Sequence, residues 1–131
     1  MESLELVAFE IISNVGMGKS LAIEAIREAR KGNYEEANKK IEEAKEFLLQ
    51  GHHSHTSLIQ KEAAGEKLEF SLIIMHAEDQ LISAETIKDL AIEIIEMHED
   101  LSSKSSCISI KDLAIETVHG YKMWAVFLYY L

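Results

Sequence analysis

The absence of proline is the feature that most constrains the fold of this chain. None of its 131 residues is proline and only 6 are glycine, whereas 47% are hydrophobic. Proline and glycine are the residues that most often interrupt helices, so the sequence favours long, uninterrupted helices. A chain of this length is a single domain by default, and we therefore expect an all-α domain.

Three long antiparallel helices are predicted. Helix 1 extends from about Ser3 to Arg30, and helix 2 follows an N-cap at Asn33 with Glu36 in a capping-box position. Helix 2 ends at Gly65, a residue suited to a helix C-terminus. Its apolar residues form a heptad seam of Tyr34, Ala37, Ile41, Ala44 and Leu48. In helix 1, Gly16 and Gly18 have two interpretations: close approach of a ligand or another backbone, or tight packing at a harmless kink.

Helix 3, predicted from about Leu68 to Glu99, is apolar on almost every side. The residues responsible are Leu72, Ile73, Ile74, Met75, Ala77, Leu81, Ile82 and Ala84. A helix that is apolar all round is buried all round, and two companion helices cannot cover it. We therefore expect helix 3 to lie at the centre of a subunit interface.

The C-terminal part of the chain has an atypical pattern. The small polar residues Ser102–Ser106 predict a linker, which divides the chain into a domain of residues 1–100 and an extension of residues 101–131. Within the extension, Ile110–Glu116 repeats Ile87–Glu93 letter for letter. A repeat found once does not make a solenoid, so a partial duplication or an altered coding end is the better interpretation.

The charge and the single cysteine restrict partners and location. A formal net charge of −10 opposes binding to nucleic acid or anionic lipid and favours a basic partner protein. The lone Cys107 cannot form an internal disulfide, which indicates the reducing cytoplasm. No basic and apolar leader precedes helix 1, and the apolar stretch Met123–Leu131 is too short to span a bilayer. We therefore expect no direct membrane insertion.

A histidine and a carboxylate one turn apart interrupt the apolar run of helix 3. His76 and Asp79 are neighbours on one helix surface, and burying them would cost free energy unless each had a partner. His76 has two interpretations: a satisfied core histidine, or a neutral imidazole that acts as a nucleophile and forms a covalent intermediate. His98 stands in a charged last turn of the predicted helix, where capping of the C-terminus explains it.

The stretch around these residues resembles a known family. The segment Thr56–Asp79, with its Met75-His76-Ala-Glu-Asp79 ending, is similar to the lactose/cellobiose-type IIA component of the sugar phosphotransferase system, over roughly residues 4 to 100. The resemblance implies a trimeric helical bundle in which His76 accepts phosphate from phospho-HPr, typically on Nε2. It passes the phosphate to a cysteine of the IIB component during uptake of a β-disaccharide.

The resemblance also assigns roles to the residues around His76. It implies that Asp79 points to a three-fold axis where three carboxylates share Mg²⁺ or another divalent cation; three such charges would otherwise repel in a dry core. Gln60 and Gln80 are candidate neutral donors to the phosphoryl group, although Gln80 stands where relatives often carry His. His52 and His55 share one helix face, and in the resembled fold this part of helix 2 packs beside the His76 region of a neighbouring helix 3.

Two other functions compete with the phosphoryl carrier. One is a non-enzymatic helical scaffold that binds partner helices through the heptads of helix 2. The other is a bundle metalloprotein that uses His52, His55 and His76. No complete phosphate-binding loop accompanies the Gly-Lys-Ser at residues 18–20, so nucleotide use is not expected.

Overall fold

The computed structural model contains helices and no strands within the part of the chain that it describes. That part is the backbone of residues 3–69 and 71–130, with the side chains of residues 3–69 and 71–107. The helices are α1 (Leu4–Arg30), α2 (Tyr34–Ala63) and α3 (Leu72–Tyr130). The chain divides into two compact units, Met1–Glu96 and Met97–Leu131. The all-α prediction is confirmed.

The ends of α1 and α2 follow from local hydrogen bonds. Ser3 caps α1, since its side chain accepts a hydrogen bond from the Leu6 N–H. After α1, Gly32 turns the chain with φ +83°, a conformation that side chains other than glycine adopt at a cost. Gly65 does the same after α2, with φ +89°, so the predicted end of this helix is confirmed.

The predicted capping box at Asn33 is wrong. The Asn33 side chain makes no cap; its Nδ2 donates to Oε2 of Glu28 at 2.9 Å, and its backbone N–H donates to the Glu28 carbonyl. Lys31 Nζ also donates to Glu28, at 2.6 Å. These two side-chain donors, Asn33 first, lower the pKa of Glu28. Their contribution to stability is present above the ordinary carboxyl pKa and is lost as pH falls through the lowered value.

The three helices of the first unit are antiparallel neighbours, as predicted. Gly18 of α1 lies against Leu48 of α2, whereas the earlier Val15 lies against the later Gly51. The contacts between α2 and α3 show the same antiparallel direction, since His52 lies near Glu85 and the later His55 lies near the earlier Glu78.

Two apolar clusters form the core of this unit. One cluster joins the start of α1 to the start of α3 and consists of Val7, Ala8, Ile11, Val15, Leu48, Leu58, Ala77, Leu81 and Ala84. The other, at the opposite end, is rich in alanine and consists of Leu21, Ala22, Ala25, Ala29, Ala37, Ile41, Ala44, Ala91 and Ile95. The heptad seam of α2 supplies residues to both clusters, which confirms that part of the prediction.

Small residues let α1 and α2 approach closely. A Cβ placed on Gly18 would lie 2.8 Å from Leu48 Cγ and 3.1 Å from the Ala44 carbonyl oxygen. Gly18 is therefore required by packing. Gly16, only two residues earlier, is exposed, and a Cβ there would meet no atom within 4 Å.

One helix among the described residues, α1, is long and apolar enough by composition to cross a membrane. A core helix of a globular bundle passes the same test. Val7, Ile11 and Val15 of α1 are buried against the other helices of the unit, so packing accounts for part of its apolar character.

The second unit corrects the prediction for the C-terminal part of the chain. Helix 3 was expected to end at Glu99 before a linker, but residues 97–130 are helical. Serine hydroxyls stay within the helix: Ser103 donates to the Glu99 carbonyl and Ser106 to the Ser102 carbonyl. These hydrogen bonds occupy the serine hydroxyls, which otherwise compete with the helix by bonding to backbone groups in turns. His98 cannot cap a helix end, because the helix does not end there.

The two copies of the repeated heptapeptide both fall within α3. In the first copy, Ala91 is fully buried, and Ile87 and Ile92 pack against the alanine-rich cluster. The side chains of the second copy, at residues 110–116, lie outside the described residues, as do those of Met123–Leu131.

The contrast between the two glycines of α1 gives a stability prediction. Gly16→Ala should stabilise the fold by about 0.5–1 kcal/mol, since alanine favours a helix and meets open space. Gly18→Ala should destabilise it by about 1–3 kcal/mol, since its methyl group overpacks the α1–α2 contact. Urea unfolding followed by circular dichroism measures both. Equal effects of the two variants would contradict this description of the packing.

Candidate functional site

The candidate nucleophile lies near the beginning of α3. Ser71 starts this helix: its Oγ accepts from the Ile74 N–H at 3.4 Å and its carbonyl accepts from the Met75 N–H at 3.2 Å. His76 directly follows Met75, and its side chain is exposed. His76 is the fifth residue of α3, so it lies just past the first turn of the helix.

Neither His76 nor Asp79 is buried in the single chain, where no described polar or charged side chain is buried. The cost of burying them therefore does not arise within the chain. The reason is rotational: the buried residues of α3 in this region are Ala77, Leu81 and Ala84, which form a different face. The interpretation of His76 as a satisfied core histidine is wrong for the single chain.

The outer face of α3 carries an apolar stripe that includes Asp79, and the exposed Glu93 lies at the same rotation as Met75 of that stripe. The stripe consists of Leu72, Met75, Asp79, Ile82, Thr86, Leu90 and Ile94, of which Leu72 is 76% exposed and Ile82 66%. At about 100° per residue, its centre lies roughly 160° from the buried face. The prediction that α3 is buried all round is therefore not met by one chain, because α1 and α2 cover only one side.

Two histidines of α2 contact carboxylates of α3. Nδ1 of His55 lies 2.5 Å from Oε2 of Glu78, and Nδ1 of His52 lies 3.7 Å from Oε1 of Glu85. The two rings are 5.7 Å apart. His55 Nδ1 is enclosed, but its geometry to Glu78 is not that of an aligned hydrogen bond. We interpret the short contact as a polar contact that is an ion pair when His55 is protonated.

These histidines do not meet His76 within the chain. Glu78 follows His76 by two residues and Glu85 by nine, which places both about 160–180° round α3 from His76. His52 and His55 are therefore on the flank of α3 that faces α2, and His76 is on the opposite flank. The predicted polar patch beside His76 is not formed by residues of one chain.

The remaining predicted residues are placed as follows. Gln80 lies one turn after His76 on the same side of α3 and is partly buried, whereas Gln60 is exposed near the end of α2. His53 is exposed on α2. Cys107 is also exposed and forms no disulfide. Of the candidate donors, the fold places only Gln80 next to His76.

A metal site is not formed by the described side chains of one chain. Among them, no group of three His, Cys, Asp or Glu residues could hold a metal ion. The bundle metalloprotein required His52, His55 and His76 to converge, and His76 points to the other flank of α3. A carboxylate such as Asp79 is a suitable ligand for a hard cation, but one chain supplies only one.

Sequence reasoning missed Glu78 and Glu85. Their separation of seven residues places them on one face of α3, and the separation of His52 and His55 by three places these on one face of α2. When two such pairs lie on neighbouring antiparallel helices, their side chains are expected to face each other. The contacts of these histidines with these glutamates could therefore have been predicted from the residue spacing.

The fold and the site describe a helical-bundle domain that presents one histidine beside an apolar surface, and comparisons with known proteins identify its family. The family described as "PTS system, Lactose/Cellobiose specific IIA subunit" matches residues 6–99. The lichenan-specific phosphotransferase enzyme IIA component of Bacillus subtilis is 48% identical over 103 residues, covering 79% of this chain and 94% of that protein. The cellobiose-specific EIIA component of Lactococcus lactis is 38% identical over 97 residues, covering 74% and 84%.

Solved structures of similar proteins point to the same family. The cellobiose-specific enzyme IIA of Bacillus anthracis has a TM-score of 0.75 at 40% identity, covering 79% of this chain and 96% of that one. A chain of the IIA(Chitobiose)-HPr complex of Escherichia coli has a TM-score of 0.69 at 32% identity, covering 78% and 99%. This chain therefore belongs to the lactose/cellobiose-specific IIA subunits of the sugar phosphotransferase system, and the resemblance seen in the sequence is confirmed.

The α2–α3 ion pairs give a testable energetic prediction. A double-mutant cycle with His55→Gln and Glu78→Gln should give a coupling energy of about 0.5–1.5 kcal/mol at pH 6, because this pair is close and partly buried. The matched cycle with His52→Gln and Glu85→Gln should give less than about 0.5 kcal/mol, since those groups are farther apart and more exposed. Urea unfolding measures both. A larger coupling for the second pair would contradict the geometry.

Proposed function

We propose that this chain is a phosphoryl carrier that accepts phosphate from phospho-HPr on His76 and passes it to the IIB component of a sugar transporter. Family membership over residues 6–99 is the observation that carries the proposal. A similar IIA subunit has been solved in complex with HPr, which supports HPr as the donor. The exposure of His76 supports its assignment, because a protein donor can reach it.

The chemistry is a pair of transfers through one histidine. The lone pair of neutral His76 Nε2 attacks the phosphorus of phospho-HPr; an N–P bond forms as the N–P bond of the donor histidine breaks. In the second transfer, a cysteine thiolate of IIB attacks the phosphorus, and His76 leaves with the electron pair of its N–P bond. No net oxidation occurs in either transfer. The histidine acts as a nucleophile that divides one exchange into two.

The protein contributes position and electrostatics rather than a new reaction path. The helix holds His76 in a fixed orientation, which suits in-line approach of the donor. Gln80 is placed to donate a neutral hydrogen bond, and Gln60 would need a neighbouring subunit or a partner to bring it close.

The names of two relatives support an assignment of the sugar. Proteins named for lichenan and cellobiose are among those most similar to this chain, so we assign uptake of a β-linked glucose disaccharide. The carrier itself does not need to contact the sugar. Transfer between HPr and IIB places the chain in the cytoplasm, in agreement with its lone exposed thiol.

We also assign a homotrimer, supported by the stripe on α3. An exposed apolar surface opposite the core has to be covered, and three copies about a three-fold axis would cover it with each other. Asp79 would then meet its two symmetry mates in an apolar environment. Three carboxylate oxygens fit Mg²⁺ or a similar hard cation, which would neutralise their repulsion.

The scaffold remains the alternative, and one observation favours it: the same stripe could bind the helices of a different protein. The two functions differ in their chemistry. A scaffold needs no phosphohistidine, whereas the carrier cannot work without one.

Substitution of His76 tests the nucleophile. His76→Gln should fold as the wild type but transfer no phosphoryl group, since an amide nitrogen is not a usable nucleophile. His52→Gln, His53→Gln and His55→Gln should reduce the rate at most, since these residues belong to α2. Transfer of labelled phosphate from phospho-HPr through the carrier to IIB measures all four. Transfer through His76→Gln would show that another histidine is the nucleophile.

The trimer has its own test. Light scattering should give about three times the 14.8 kDa mass of the chain. Asp79→Leu should keep or strengthen the trimer, because it replaces clustered charge with apolar contact. Ile82→Glu on the same stripe should dissociate it. A stable monomer at micromolar concentration, or loss of the trimer in Asp79→Leu, would contradict this assembly.

A further inference from the structure

The part of the chain beyond the family match is not explained by phosphoryl transfer. The family matches residues 6–99, whereas α3 continues to Tyr130, and Met97–Leu131 form the second compact unit. The candidate nucleophile His76 and the stripe assigned to the trimer both lie before this unit. A role for the second unit therefore has to come from its own sequence and its helical backbone.

Charge is segregated to one side of the helix in the second unit. At 100° per residue, the charged and histidine positions between residues 110 and 122 fall within a sector of about 140°. These positions are Lys111, Asp112, Glu116, His119 and Lys122. The other half of the circle, about 180° wide, carries no charged position over residues 110–128. We call it the uncharged sector, and its positions are Ile110, Leu113, Ala114, Thr117, Val118, Gly120, Tyr121, Trp124, Ala125, Phe127 and Leu128.

After Lys122 the sequence is apolar on every side. Residues 123–131 contain no charged residue, and five of the nine aromatic residues of the chain lie within residues 121–131. A helix that is apolar all round has to be covered on every side, which a single partner helix cannot do. The stretch is nevertheless far shorter than the roughly 20 residues of a bilayer span. An amphipathic helix that ends in such an aromatic stretch is typical of helices that lie in the interface of a lipid bilayer.

The formal charge of this region differs from that of the rest of the chain. Residues 101–131 contain three lysines against the two carboxylates Asp112 and Glu116, so their formal net charge is +1. Since the whole chain carries −10, residues 1–100 carry −11. Anionic lipid repels the acidic residues 1–100 but does not repel the region that follows them. Contact with a bilayer is therefore favoured through this region, and burial of apolar groups rather than charge has to supply the affinity.

We propose that residues 110–131 bind the surface of a lipid bilayer through the uncharged sector, with the helix in the plane of the interface. Binding of this kind involves no span, so it agrees with the expectation of no direct membrane insertion. It goes beyond the proposed function. In a phosphoryl carrier it raises the local concentration of the chain at the membrane that the sugar crosses.

The chain contains its own reporter for this contact, because Trp124 is its one tryptophan. The probe is vesicles of phosphatidylcholine, which carry no net charge. When vesicles are added to the full chain, the tryptophan emission should shift to shorter wavelength, and the chain should sediment with the vesicles. Both signals should persist in about 0.5 M NaCl, since salt screens charges but does not weaken apolar burial.

Two substitutions to the same residue separate apolar contact from charge. Leu128→Glu places a carboxylate in the uncharged sector and should weaken vesicle binding at least about 10-fold. Lys122→Glu is the matched control in the charged sector: it changes the charge by more, yet binding should stay within about 2-fold of the wild type. Both variants keep Trp124, and circular dichroism checks that both keep the helix content of the wild type.

Three results would overturn the inference. The first is a wild-type chain that does not bind the vesicles, and the second is equal weakening of binding by the two variants. The third is a wild-type mass by light scattering that falls in Leu128→Glu while vesicles leave the tryptophan emission unchanged, which would identify a contact between copies. Phosphoryl transfer in solution is measured without vesicles, so failure of the membrane contact leaves the carrier function standing, and failure of transfer leaves the membrane contact standing.

Discussion

The constraint on which the structure depends is that α3 has two apolar faces and the chain can bury only one. Ala77, Leu81, Ala84, Ala91 and Ile95 are in the core, whereas the stripe from Leu72 to Ile94 faces outward. Burial of the inner face sets the rotation of α3, and this rotation puts His76 and Asp79 on the surface. The hydrophobic pattern therefore positions the candidate site before any specific polar contact forms.

Close packing of α1 and α2 builds the apolar surface against which the inner face of α3 packs. Gly18 and Gly51 admit Leu48 and Val15 at distances that a methyl group would prevent, and alanines fill much of the second cluster. The contact of His55 with Glu78 then joins α2 to the turn of α3 that follows His76. A carrier of this kind needs a histidine that is accessible yet held in orientation, because its chemistry requires in-line approach and little else.

Much of the fold could be predicted from the sequence, because its signals are local. The absence of proline, the heptad seam of α2 and the glycines after α1 and α2 gave the helices and their order. The capping box at Asn33 failed because Glu28 competed for the asparagine side chain, a contact across the connection that helix patterns do not show. The linker at Ser102–Ser106 failed because serine hydroxyls can bond to the preceding turn and remain in a helix.

The candidate site was predictable in part. The motif from Met75 to Asp79 indicated a candidate nucleophile, but apolar neighbours in sequence suggested burial, and only the rotation of α3 shows that His76 is exposed. His52 and His55 were expected beside the His76 region of a neighbouring helix 3, which stays a prediction; within the chain they lie near Glu85 and Glu78 on the opposite flank. Spacing along a helix gives the shared face of two residues, but the element that the face meets depends on tertiary packing.

The most direct test of the central claim is the location of the phosphoryl group on the native chain. After incubation with phosphorylated HPr, mass spectrometry under conditions that preserve acid-labile phosphohistidine should find one added phosphoryl group per chain, on the peptide that contains His76. ³¹P NMR should place it on Nε2. A phosphoryl group on any other histidine, or none at all with an active donor, would contradict the account.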